Sequence, residues 1–117
     1  MDRHLVTRTE LGEISITSGA LAQLVGYTAA ESYGVVGQAS SRRLRRLLRR
    51  EDVTKGIGIR SGDDGLVIEL HVVVEYGLNL AEVAATVRSR VAYEVERQAG
   101  LRVAAVEVHV DSVKGSA

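Results

Sequence analysis

The sequence predicts an α+β domain of two layers, with helices on one face of a mostly antiparallel sheet of about four strands. Three observations carry that reading. Apolar residues alternate with polar ones in residues 11–17, 57–76 and 102–113, the period of strands with one buried face. Apolar residues recur at helical spacing over about 19–33 and 80–98. Gly, Asn, Asp and Ser mark every break between these segments, because the chain has no proline.

The elements follow in the order β-α-(α)-β-β-α-β. In LGEISIT (11–17), Gly12, Ile14 and Ile16 share one side and Glu13, Ser15 and Thr17 the other. Ser18 then serves as N-cap of a helix over about 19–33, with Leu21, Leu24, Val25 and Thr28 as its inward stripe. Gly34 and Gly37 end it, and VVGQAS (35–40) reads as extended chain or a short strand. SRRLRRLLRR (41–50) is a second, short helix. Ile57 and Ile59 alternate on a strand that turns back through SGDDG (61–65). On the long strand that follows, Leu66, Ile68, Leu70, Val72, Val74 and Tyr76 form one face. Val67, Glu69, His71, Val73 and Glu75 form the other. Asn79 with Glu82 opens the helix over about 80–98, whose stripe is Leu80, Val83, Ala84, Val87, Val91 and Val95, and Gly100 stops it. The last strand turns Ala104, Val106, Val108 and Val110 inward, and Glu107, His109 and Asp111 outward.

A chain of 117 residues is read as one domain, 1–117, with flexible ends at 1–10 and 114–117. It has no Phe and no Trp, so aliphatic side chains must fill the core, with four tyrosines at its margins. Without Cys there is no disulfide, no thiolate catalysis and no Cys-based zinc site. No apolar run reaches the roughly 18–20 residues of a membrane span, and the start MDRHLVTRTE has no apolar leader region, so a cytoplasmic location is expected.

The outward residues Glu13, Glu69, His71, Glu107, His109 and Asp111 combine imidazole with carboxylate, the vocabulary of metal ligation and acid–base chemistry. Their spacing matches no metal or catalytic motif, and alternation alone puts polar residues on the uncovered face of a sheet. No catalytic, cofactor or metal residue is therefore assigned. The same face is expected to carry Val67, Val73, Val103, Ala105 and Val113, a mixture suited to self-association.

Arg42, Arg43, Arg45, Arg46, Arg49 and Arg50 crowd nine positions of a chain with 15 basic and 15 acidic residues. Without these six the remainder has a net charge of −6, so the molecule is electrically polarised. At 100° per residue Leu44, Leu47 and Leu48 form a narrow stripe and the arginines fan over the opposite side. Like-charge pairs three and four residues apart cost on the order of 1–3 kcal/mol before screening by salt. A solvated face has no need of such crowding, although arginine is a good helix former and charge runs are ordinarily solvated. The six arginines are thus a candidate interaction surface for an acidic protein or an anionic membrane surface. Gly34-Val35-Val36-Gly37, just before them, matches the GxxG loop of one class of RNA-binding domain. The scarcity of aromatic side chains for stacking bases makes nucleic acid the weaker alternative.

GEISI (12–16), AAESYGVVG (29–37), KGI (55–57), VVVEYGLNLAEVA (72–84) and GLRVAAVEVHVDSV (100–113) together resemble the alkaline shock protein, or general-stress protein, family of bacteria. These are described as envelope stress response proteins. The resemblance spans nearly the whole chain and keeps the element order. It implies a small α+β protein without established catalytic residues, acting in envelope homeostasis. It further implies self-association and recruitment to the inner face of the cell membrane by a membrane-anchored partner.

Overall fold

A computed structural model describes residues 4–36 and 56–115. Strand β1 (His4–Thr9) pairs antiparallel with β2 (Gly12–Thr17), and helix α1 (Ser18–Glu31) follows without a break. Strands β3 (Ile57–Gly62) and β4 (Gly65–Glu75) form an antiparallel hairpin. Helix α2 (Leu80–Ala99) then leads to β5 (Val103–Lys114). The sheet order is β3-β4-β5, and β1-β2 is a separate two-stranded ribbon.

The α+β class and the two layers stand, with three differences in the strands. Strand β2 pairs with β1 outside the main sheet, which has three strands rather than about four. Residues 4–9, read as part of a flexible end, form β1. Strand β5 runs parallel to β4, because the 20-residue helix α2 carries the chain back to the starting end of β4.

Local chemistry sets the boundaries. Thr17, one residue earlier than expected, caps α1: its Oγ1 accepts from the Ala20 amide at 3.0 Å. Asn79 caps α2 through the Glu82 amide at 3.0 Å, and Gly100 ends that helix with φ 69°. Asp63 and Asp64 make the two-residue turn between the paired Gly62 and Gly65. At Gly65 (φ +134°) a Cβ would lie 2.7 Å from the Arg102 carbonyl oxygen, which accepts the neighbouring Leu66 amide at 2.9 Å. Only glycine lets the two backbones approach there.

The core is aliphatic. Leu66, Ile68, Leu70, Val72 and Val74 of β4 bury one face against Val83, Val87, Val91 and Val95 of α2, with Leu21, Val25 and Ala29 of α1. All four tyrosines lie exposed. Strict alternation breaks in the pairing of β4 with β5. Leu66 pairs with Val103 but Val67 with Ala105, and Val72 pairs with Val110 but Val73 with Ser112. The extra residues Ala104 and Asp111 are β-bulges. Val103 consequently packs on the core while Ala104 is exposed, the reverse of the period-two reading, and Val113 is brought level with inward-facing Val74. Ile14, expected on a buried face, is 55% exposed.

The chain following α1 is stitched to β4. The Val36 amide donates to the Val73 carbonyl at 2.9 Å, and the Glu75 amide to Gly34 at 2.9 Å. After residues 37–55 the chain returns beside the same strand, where the Gly56 carbonyl accepts the His71 amide at 3.1 Å. Val35 and Val36 are thus extended, as expected.

Candidate functional site

The sheet face away from the helices gathers most of the outward polar residues. In the parallel register Glu69 pairs with Glu107 and His71 with His109, so like stands opposite like across two strands. The bulge at Asp111 directs its carboxylate to His71, whose Nδ1 lies 2.9 Å from Oδ1 and 3.1 Å from Oδ2. The other ring nitrogen, Nε2, is 3.1 Å from Glu69 Oε2. The His71 and His109 rings stack, with centroids 4.7 Å apart and planes 16° from parallel. His109 Nε2 reaches to 4.0 Å from the same Glu69 oxygen.

Two carboxylates therefore flank one imidazole. The bond to Asp111 first, and that to Glu69 next, hold the His71 pKa above its ordinary 6.5 by favouring the charged ring. Glu69, Glu107, His109 and Asp111 are exposed and His71 is half-buried. Among the described residues, Glu69, His71 and His109 present three ligand atoms within 4.8 Å of one another.

Not every candidate joins this group. Glu13 lies in the β1–β2 ribbon, paired with Arg8 at 3.4 Å. Val67 and Val73 flank the polar residues, half-buried, and Ala105 is exposed. The six arginines Arg42 to Arg50, and Gly37, lie outside the described residues. The rest of the GVVG match behaves unlike a phosphate-clamping loop. The Val35 amide donates to Ser32 and that of Val36 to β4, so neither is presented to a ligand. Gly34 (φ +87°) faces α2, where a Cβ would lie 2.8 Å from Val83 Cγ2.

The pairing of His71 with His109 could not be read from the sequence, since alternation gives faces but not register. The long helix between two strands was the available signal for a parallel pair. No helix among the described residues is long and apolar enough to cross a membrane.

Comparisons with known proteins agree over nearly the full length. Uncharacterized protein YloU of Bacillus subtilis is 32% identical over 111 residues, covering 92% of each chain. Uncharacterized protein Spy1614 of Streptococcus pyogenes serotype M6 is 34% identical over 110 residues, 91% of each. Uncharacterized protein YqhY of B. subtilis is 24% identical over 108 residues, 91% of this chain and 80% of that one. No solved structure matches. The profile of the alkaline shock protein family, described as having a cell envelope-related function, matches residues 6–115; with the relatives at 32% and 34% identity, this match shows that the chain belongs to that family.

Proposed function

We propose that this member of the family acts without catalysis, as an envelope-homeostasis and stress-response protein that self-associates and is recruited to a membrane-anchored partner. It would then work in the cytoplasm, at the inner face of the membrane. Membership in an envelope-related family supports the setting. The observation that carries the association is β5: twelve residues long, it has β4 as its one strand neighbour among the described residues. An edge strand of this length offers a row of backbone donors and acceptors to another chain. The adjoining open face, with Val67, Val73 and Ala105 among charged groups, suits a contact both apolar and specific. Arg42, Arg43, Arg45, Arg46, Arg49 and Arg50 supply the basic surface for an acidic partner or anionic headgroups.

Light scattering across a range of protein concentrations, combined with membrane fractionation from the native host, tests the reading. Mass rising with concentration and cofractionation with membrane are expected. A strict monomer that never accompanies membrane would overturn it. Changing the six arginines to Gln should release the protein from membrane without lowering its thermal unfolding temperature, because the substitution also removes like-charge repulsion.

A further inference from the structure

Glu69, His71 and His109 hold their ligand atoms in an arrangement close to that of a metal site. Bonds of about 2.1 Å in a tetrahedral zinc site place neighbouring ligand atoms about 3.4 Å apart. Glu69 Oε2 is already 3.1 Å from His71 Nε2 and 4.0 Å from His109 Nε2. The three atoms all lie within 4.8 Å, so closure requires only that the stacked imidazoles turn toward each other. These side chains are 36% to 50% exposed, which leaves room for that turn and a path for an ion.

Two further observations point the same way. First, Glu69 stands opposite Glu107 and His71 opposite His109. Like charges directly opposite across strands are destabilising, as Glu69 and Glu107 are here, and exchanging one Glu with its neighbouring His would have made cross-strand ion pairs instead. A cation bound at Glu69 would offset that repulsion. Second, the bulge at Asp111 sets a carboxylate on His71 Nδ1 at 2.9 Å. A ligating histidine ordinarily donates its other ring N–H to such a carboxylate, which fixes the tautomer and leaves Nε2 as the ligand atom. Strict alternation without the bulge would not place Asp111 there.

We propose that Glu69, His71 and His109 bind one divalent transition-metal ion of the zinc type on the open face of the sheet, with Asp111 as the positioning residue for His71. Two imidazoles and one carboxylate favour such an ion over Mg²⁺ or Ca²⁺, which prefer all-oxygen sites. The ion would tie β4 to β5 and leave a coordination position open to solvent or to a partner's side chain. The site stands independently of the proposed function, and its test reads neither oligomerisation nor membrane recruitment.

The test is calorimetric titration of Zn²⁺ into full-length protein purified without a metal-affinity tag and stripped with chelator. One ion per chain is expected, with Mg²⁺ failing to compete. Affinity should fall by tenfold or more in His109→Ala and Glu69→Gln, and roughly 10–100-fold in Asp111→Asn. Imidazole ¹⁵N spectra of the wild type, which need no variant to fold, should show zinc perturbing His71 and His109 and sparing His4. Absence of saturable binding would overturn the site. So would affinity unchanged in His109→Ala, or perturbation of His4 alone.

Discussion

The two faces of the β4–β5 pair share one backbone and do opposite work. The inward side chains Ile68, Leu70, Val72, Val74 and Val106 are buried and aliphatic; the outward ones between them include Glu69, His71, Glu107 and His109. The inner face supplies stability through its area and has no group with chemistry. The outer face holds the titratable groups in fixed register because the inner one is rigid. Neighbouring positions on one strand can therefore be altered almost independently.

Substitutions of unequal size probe that division. Leu70→Ala, which opens a cavity among fully buried neighbours, should lower the unfolding free energy by about 2–5 kcal/mol in denaturant titration. The adjacent outward change Glu107→Gln should stay within about 0.5 kcal/mol; equal losses would mean that the outer face is packed as well. Gly65→Ala, with φ +134° and its Cβ driven toward the Arg102 carbonyl, should cost about 1–3 kcal/mol. Removing the cap of α2 with Asn79→Ala should cost about 0.5–2 kcal/mol, read as a lower melting temperature.

The smallest effect is one of pH. His71 has its pKa raised in the folded state by Asp111 and Glu69, so their contribution is fully present below about 6.5, the unfolded value. It is lost as pH rises through the folded value, and stability should decline slightly across that window. Solvent screening makes the effect modest. In Asp111→Asn the decline should shrink, and the His71 titration followed by NMR should move toward lower pH.

The faces of β4, the cap of α2 and the turn within SGDDG were legible in the sequence because each follows from short-range chemistry: Asn79 three residues before Glu82, or Ile68 and Leu70 alternating with charge. What escaped depended on pairing partners. HLVTRT has too little alternation to stand out as a strand until Leu5 and Thr7 are set against Ile16 and Ile14. The bulges at Ala104 and Asp111 are invisible to a period-two count, since they arise from fitting β5 against β4. For the same reason the outward histidines could be named but not brought together. The arginine run was the most conspicuous local signal, yet it lies outside the described residues, and charge crowding alone names no partner.

The stitching of the chain to β4 on either side of residues 37–55 has a consequence for how this protein can vary. Val36 leaves beside Val73 and Gly56 returns beside His71, two residues along the same strand, a gap of about 7 Å at strand rise. The intervening stretch is thus an excursion that departs from and comes home to one point on the sheet. Its length and composition can change with little penalty to the scaffold, because loop-closure entropy grows slowly with length. Replacing 37–55 by a short Gly/Ser bridge should leave cooperative unfolding intact. The stretch 37–55 can therefore change between relatives without redesign of the domain that carries it.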